Sequence, residues 1–265
     1  MSEPIARINV RSLVSMKQRG EKITMLTAYD YPTAQMLDAS GVHCLLVGDS
    51  LGMVVQGHDT TIPVTLEQMI YHGEIVARGA KRAMVIVDLP FPVGQINVTH
   101  TVKAAAKILK QTQCQAVKME GGHQQADSIA ALVDAGIPTI AHIGLRPQSV
   151  HAIGGYRVQR DADRLMKDAL AAQSAGAFCV LMECVPSELA QQVTQSLNVP
   201  TIGIGAGPHC DGQVLVTNDL LGWNGGNVPK FVRKYAQLQQ QAKEAIEGYC
   251  RDVQNGDFPA PKESF

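Results

Sequence analysis

The chain has 265 residues, a length that suits one large α/β barrel or two modest domains. Hydrophobic residues make up 45% of it and charged residues 18%, which supplies a core and argues against a disordered chain. Lysine and arginine total 23 against 24 acidic residues, so there is no basic field, and we expect neither a nucleic-acid nor a membrane partner.

Eight short β-rich segments recur along the chain. They are KITMLTA (22–28), HCLLVGD (43–49), AMVIVD (83–88), QAVKME (115–120), PTIAHI (138–143), FCVLME (178–183), PTIGIG (200–205) and QVLVT (213–217). Apolar residues at three- and four-residue spacing predict helices between most of them. These helices cover 32–40, 66–78, 98–111, 125–135, 162–175 and 187–197, and a C-terminal helix covers 231–249.

Strands that alternate with helices indicate parallel pairing through right-handed crossovers. Eight such units in about 250 residues match the (β/α)₈ TIM barrel, whose active site lies at the carboxyl ends of the strands. We therefore predict one barrel domain over residues 1–265, with a short N-terminal helical segment and a polar C-terminal tail. An open, doubly wound sheet is the alternative, because periodicity alone does not prove closure.

The N-terminal segment and the cysteines indicate where such a protein resides. MSEPIARINVRSLV lacks the apolar stretch of a signal peptide, and no apolar run is long enough to span a bilayer. The six cysteines are scattered without a C-x-x-C pair, so reduced thiols are expected rather than disulfides or structural zinc. These features predict a cytoplasmic protein.

Five predicted strands end in ionisable side chains. The residues are Asp49, Asp88, Lys118 with Glu120, His142 and Glu183. Taken singly, each has an ordinary structural explanation: an Asp at a strand end can cap a turn, and a histidine can be hydrogen-bonded in a core. Six such groups on one rim would be costly to hold together without a function, so the set predicts an active site.

The spacing of these residues favours a magnesium site. Lys118 and Glu120 are two apart on one strand, so both side chains face the same way. Asp49 and Asp88 come from adjacent strands and can share one divalent ion. Ligation by oxygen with few protein ligands favours Mg²⁺, and zinc is disfavoured because no His pair or thiolate set accompanies the acids.

The glycine-rich segment GIGAG (203–207) ends the seventh predicted strand. It fits close approach of a ligand or tight packing about equally well, and we assign it no catalytic role. It is not a G-x-G-x-x-G fingerprint.

Several longer motifs resemble one family. TAYDYPTA, LVGDSLGMVVQGHDTTIPVT, VDLPF, VKMEGG, HIGLRPQSV, GGYRVQ, MECVP and IGIGAG occur in this order. The chain resembles the ketopantoate hydroxymethyltransferase family over nearly its whole length. The resemblance implies a (β/α)₈ barrel related to phosphoenolpyruvate/pyruvate-binding enzymes. It also implies a folate-dependent transferase that acts in the first committed step of pantothenate biosynthesis, and a homodecamer.

The implied reaction moves a hydroxymethyl group from 5,10-methylenetetrahydrofolate to 3-methyl-2-oxobutanoate through a Mg²⁺-stabilised enolate, giving 2-dehydropantoate. By this resemblance Asp49 and Asp88 are Mg²⁺ ligands and substrate neighbours, and Glu120 completes the metal environment. Ser50 and Lys118 bind substrate. Glu183 is the proton acceptor, a role that requires a carboxylate which the metal does not use. His142 is a supporting residue of the site.

Three alternatives are open at this point. The same barrel could carry a Mg²⁺-dependent carbon–carbon lyase or phosphonomutase that acts on a 2-oxo acid without folate. Lys118 could form a Schiff base, although adjacent Glu120 favours a charged ammonium instead. A keto-acid sensor is disfavoured, since sensing needs no base.

Overall fold

The structure, a computed structural model, describes residues 6–224 and 228–265. Residues 1–5 and 225–227 of the predicted domain lie outside the described residues. The chain forms two compact units, one ending at Leu215 and the other running from Val216 to Phe265. A single domain over 1–265 stays a prediction.

Within the described ranges, the first unit contains eight strands that close into a barrel. Their bounds are β1 Ile23–Thr27, β2 Cys44–Val47, β3 Met84–Asp88, β4 Ala116–Glu120, β5 Thr139–Gly144, β6 Cys179–Glu183, β7 Thr201–Ile204 and β8 Gly212–Leu215. All neighbours are parallel, and β8 pairs with β1. The predicted TIM barrel is confirmed and the open-sheet alternative is wrong.

Helices separate most of the strands, as the apolar spacing predicts. Those of the first unit are α1 Val10–Gln18, α2 Tyr31–Ala39, α3 Leu51–Val54, α4 Leu66–Gly79, α5 Val98–Thr112, α6 Ala126–Asp134, α7 Val150–Ile153, α8 Ala162–Ser174 and α9 Ser187–Ser196. Short 3₁₀ turns occur at His123–Gln125 and Pro147–Ser149. Side chains of Asp30, Thr65 and Asn97 cap α2, α4 and α5, which explains why these helices begin where they do.

Alternate strand residues belong to two separate cores. In β2, Leu45 and Val47 pack with the apolar faces of the helices, whereas Cys44 and Leu46 join a second cluster drawn from all eight strands. This second cluster is the barrel interior, because α1 is the only helix of the described chain that contributes to its buried members. Lys17 of α1 bonds to Asp211, directly before β8, so α1 covers the amino-terminal end of the barrel.

The second unit contains α10 Thr217–Leu220, α11 Leu238–Asn255 and a 3₁₀ turn at Pro261–Glu263. The prediction that the C-terminal helix covers 231–249 is wrong at both ends. The backbone N–H groups of Tyr235, Leu238 and Gln239 donate to carbonyls at the end of α10 and just beyond it. Those bonds replace the helical ones, so α11 begins seven residues later than predicted.

No helix in the described part of the chain combines the length and the apolarity that a membrane crossing requires. All six cysteines fall within that part and are free thiols, four of them buried, one half-buried and one exposed.

Candidate active site

The polar side chains at the carboxyl ends of the strands continue the inward-facing alternation of the barrel. Interior residues Ile86, Ala116, Ile140 and Leu181 are each followed two positions later by a polar residue. Those residues are Asp88, Lys118, His142 and Glu183, with Glu120 two beyond Lys118. The register places Asp88 beside Lys118 and Glu120 beside His142. One rim of the barrel therefore collects them.

Asp49 reaches the same rim by a different route. The expectation that it ends strand two is wrong, since β2 stops at Val47 and a turn follows. Gly48 occupies the next inward position, where a Cβ would stand 2.9 Å from Ser50 Oγ and 3.5 Å from Asp88 Oδ2. The glycine lets the turn approach Asp88, and Asp49 N donates to Asp88 Oδ2 at 3.1 Å.

Lys118 supplies the positive charge of the rim. Its Nζ lies 3.1 Å from Asp88 Oδ2, with both side chains buried. Burial by itself would lower the pKa of Lys118, but the carboxylates of Asp88, Asp49 and Glu120 outweigh it and raise that pKa. The side chain is therefore an ammonium ion, which disfavours the Schiff-base alternative.

Burial has the largest effect on the pKa values of the carboxyl groups around this ammonium. It raises the pKa of Asp88 to about 7, a rise that Lys118 opposes and Asp49 reinforces. The pKa values of Asp49 and Glu120 are raised for the same first reason. Three buried acids share one lysine, so the rim favours a further cation.

His142 lies between Lys118 and Glu183. Its Nδ1 is 3.3 Å from Lys118 Nζ, and an ammonium has no lone pair, so Nδ1 accepts. Burial, followed by the Lys118 charge, keeps the pKa of His142 well below its usual range, so the ring is neutral. Its proton is thus on Nε2, which lies 3.2 Å from Glu183 Oε2 without the alignment of a hydrogen bond.

Glu183 is the acid most open to the mouth of the barrel, with 17% of its side chain exposed. Burial raises its pKa to about 7, against the opposing charge of Lys118. A carboxyl group with such a pKa can accept and release a proton near neutral pH.

The backbone that follows Glu183 is unusual. Cys184 has a φ of 50°, in the left-handed region that few non-glycine residues adopt. Its N–H donates to Ile204 O at 2.9 Å and its carbonyl accepts from Gln159 N at 2.8 Å. Hydrogen bonds thus fix both the N–H and the carbonyl group of Cys184.

The Ser50 hydroxyl is hydrogen-bonded to a residue that follows β1. Tyr29, buried two residues after the end of β1, shares a hydrogen bond of 2.8 Å with the Ser50 hydroxyl. Burial raises the pKa of Tyr29, so it stays a neutral phenol. The Ser50 hydroxyl therefore has a fixed neighbour, and sequence reasoning did not single out Tyr29.

Gln148 is a second residue that sequence reasoning missed. It lies in the 3₁₀ turn after β5 and contacts both Asp49 and Glu120. The motif HIGLRPQSV contains it, but a glutamine carries no charge or metal-ligand pattern that would have drawn attention. By contrast, the glycine-rich segment 203–207 packs tightly: a Cβ on Gly203 would stand 2.8 Å from Cys210 Sγ.

The residues present fit a divalent cation that takes few protein ligands. Asp88 Oδ1 is buried and has no hydrogen-bond partner in the described ranges, although Oδ2 of the same group has two. No group of three or more His, Cys, Asp or Glu side chains able to hold a metal occurs among the described residues. Two carboxylates completed by water or substrate oxygens suit Mg²⁺. Asp49 and Asp88 as the metal ligands, with Glu120 completing the metal environment directly or through water, stay a prediction.

Comparison with known proteins identifies close relatives of the sequence. Residues 7–261 match the family model described as ketopantoate hydroxymethyltransferase. The 3-methyl-2-oxobutanoate hydroxymethyltransferase of Rhodopirellula baltica is 59% identical over 260 residues, covering 98% of this chain and 97% of that protein. The protein of the same name from Magnetococcus marinus is 52% identical over 263 residues, covering 98% of both.

Solved structures share the architecture at low sequence identity. Phosphoenolpyruvate phosphomutase from Streptomyces platensis subsp. rosaceus has a TM-score of 0.64 and 14% identity, covering 96% of this chain and 92% of that chain. A 2,3-dimethylmalate lyase of the PEP mutase/isocitrate lyase superfamily has a TM-score of 0.58 and 18% identity, covering 97% and 91%. These likenesses concern the fold.

Proposed function

The chain belongs to the ketopantoate hydroxymethyltransferase family and is thus a one-carbon transferase, and we propose that it transfers a hydroxymethyl group from 5,10-methylenetetrahydrofolate to 3-methyl-2-oxobutanoate. The product is 2-dehydropantoate, and the folate leaves as tetrahydrofolate after one water is consumed. The observation that carries the proposal is the rim on which the Asp88–Lys118 ion pair lies near Glu183, an acid with a pKa of about 7.

Glu183 is the base in this proposal. The proton on C3 of the keto acid must leave before a carbon–carbon bond can form there, and the leaving pair of electrons spreads onto the keto oxygen. Glu183 is near the mouth, half ionised at neutral pH, and not paired with Lys118. His142 Nε2–H, 3.2 Å from Glu183 Oε2, stabilises the ionised form when the two align.

Lys118 and Ser50 bind the anionic end of the substrate. The Lys118 ammonium is fixed by Asp88 at 3.1 Å, so its charge is already in place when negative charge develops on the substrate. The Ser50 hydroxyl, held by Tyr29, can donate to the substrate carboxylate. A divalent cation, Mg²⁺ in our proposal, would be held by Asp49 and Asp88 and would supply positive charge to the enolate oxygen.

Product formation tests the proposal directly. The purified chain, given 5,10-methylenetetrahydrofolate, 3-methyl-2-oxobutanoate and Mg²⁺, is expected to form 2-dehydropantoate, detected by mass spectrometry. EDTA should abolish product and excess Mg²⁺ should restore it. A product that forms without folate, by cleavage of a 2-oxo acid, would instead support the lyase or mutase alternative.

The rate should depend on pH through Glu183. Its pKa of about 7 means that the base is protonated, and so inactive, below that value. Turnover at saturating substrate is expected to rise about tenfold per pH unit up to pH 7 and then level off. His142 should add no step near pH 7, because burial keeps its pKa well below its usual range. Asp88 also has a pKa of about 7, so the profile is taken at saturating Mg²⁺, which keeps that carboxylate ionised. A pH profile from 5.5 to 9 checks this, and a flat profile across pH 7 would contradict it.

Three further expectations accompany this proposal: a place in pantothenate biosynthesis, a cytoplasmic location and a homodecamer. Exposed apolar side chains support self-association. On α11, Ile246 and Tyr249 are 62% and 58% exposed, and on the first unit Tyr71 is 62% exposed.

A further inference from the structure

Gln148 has an amide whose hydrogen bonds are all directed at the rim or its border. Its Nε2 donates to Asp49 Oδ2 at 2.8 Å and to the Leu89 carbonyl at 2.9 Å. Its Oε1 accepts from Gln95 Nε2 at 3.0 Å. Both amide N–H donors and the amide oxygen have partners, so the side chain has a single favoured orientation.

The backbone of the same residue holds a second carboxylate. Gln148 N donates to Glu120 Oε1 and Oε2 at 3.1 and 3.2 Å. Gln148 is 5% exposed, so these bonds form away from bulk water. One residue of the loop after β5 thus fixes carboxylates that belong to the ends of two other strands.

We propose that Gln148 is a positioning residue: its side chain occupies one oxygen of Asp49 so that the other, Oδ1, is turned to a divalent cation. The inference rests on the proposed function for the identity of the site as a magnesium-dependent one. It goes further by assigning the direction of Asp49 to a residue that touches neither substrate nor metal.

An amide suits this task better than a charged side chain would. Lysine or arginine at this position would also donate to Asp49, but it would neutralise the carboxylate and weaken its attraction for a cation. The amide orients Asp49 and leaves its charge in place. The Gln95 bond to Oε1 prevents the amide from turning its oxygen toward Asp49, which would leave two acceptors face to face.

The variant Gln148→Met distinguishes a role in positioning Asp49 from a role in stabilising the fold. Methionine keeps the length and volume of the side chain, removes both donors and retains the backbone N–H that holds Glu120. Mn²⁺ binding to the full chain, followed by electron paramagnetic resonance without substrates, should weaken by about 10- to 100-fold, as for other residues that orient a ligand. Turnover should recover toward the wild-type value at saturating Mg²⁺, since the chemistry is otherwise intact.

Gln173→Met is the matched control. Gln173 Oε1 accepts from Asn198 N at 2.6 Å, in a part of the first unit outside the rim. Its loss should lower the melting temperature and leave Mn²⁺ affinity unchanged. If Gln148→Met is poorly folded, Gln148→Asn retains the amide on a side chain one methylene shorter and should show the same weakening.

The outcomes separate the two proposals. If wild-type chain binds Mn²⁺ and folded Gln148→Met binds it equally well, the positioning role is wrong and Gln148 only stabilises the fold. If the wild-type chain binds no Mn²⁺, the magnesium site of the proposed function is itself wrong, and this inference falls with it.

Discussion

Glu183→Gln is expected to lower turnover by about two to four powers of ten, the usual contribution of a general base. The amide has nearly the same shape but cannot accept the C3 proton. The KM for the keto acid should change little, because Lys118 and Ser50, which bind the acid in our proposal, are untouched. At saturating Mg²⁺, which keeps Asp88 ionised, the pH step near 7 should disappear together with the Glu183 carboxyl group.

Proton exchange isolates this step from one-carbon transfer. In D₂O without folate, the wild-type chain with Mg²⁺ should exchange the C3 proton of 3-methyl-2-oxobutanoate, and NMR follows the loss of the signal. Glu183→Gln should exchange it slower by a similar factor. Exchange at the wild-type rate would show that another group is the base. Glu188→Gln, the same change at an exposed residue in the first turn of α9, serves as the control.

Lys118→Met should affect both stability and turnover. It removes the ammonium that Asp88, Asp49 and Glu120 share and leaves buried carboxylates without that partner. Removing one member of a buried pair costs about 3–5 kcal/mol in the free energy of unfolding. Turnover should fall at least about 10²-fold, because a pre-placed charge is lost.

Thermal unfolding with and without Mg²⁺ measures the stability effect. Added Mg²⁺ should raise the melting temperature of Lys118→Met more than that of the wild-type chain, since the cation offsets the uncompensated acids. Lys107→Met is the matched control: Lys107 pairs with Glu67 at 3.2 Å on the exposed surface. Its loss should cost less than about 1 kcal/mol. Equal losses in the two variants would mean that the rim charge is not buried as described.

The order of strands and helices could be read from the sequence because the apolar period changes at each junction. All eight strands begin and end within two residues of their predicted bounds, and the largest differences are at the ends of β2 and β8. The inward direction of Lys118 and Glu120 follows from their spacing of two, which the pleat of a strand enforces. For these residues the sequence pattern and the closed barrel impose the same geometry.

Asp49 and Gln148 show why the rest of the site could not be predicted. Asp49 lies in the turn after β2, where alternation no longer tells which way a side chain points. Gln148 is 99 residues from Asp49 and 28 from Glu120, so its bonds exist only once the barrel has closed. The start of α11 was missed for a related reason, because bonds to the α10 region replace local helical ones.

The left-handed backbone of Cys184 has a consequence for anyone who wishes to make the chain more durable. A non-glycine residue in that conformation costs about 1–2 kcal/mol, and glycine would remove the cost. The same glycine would give the backbone next to Glu183 more conformational freedom, so the gain in heat resistance would come with a less firmly held Glu183. We therefore expect Cys184→Gly to raise the melting temperature and to lower turnover, and a thermostability campaign should leave residue 184 as it is.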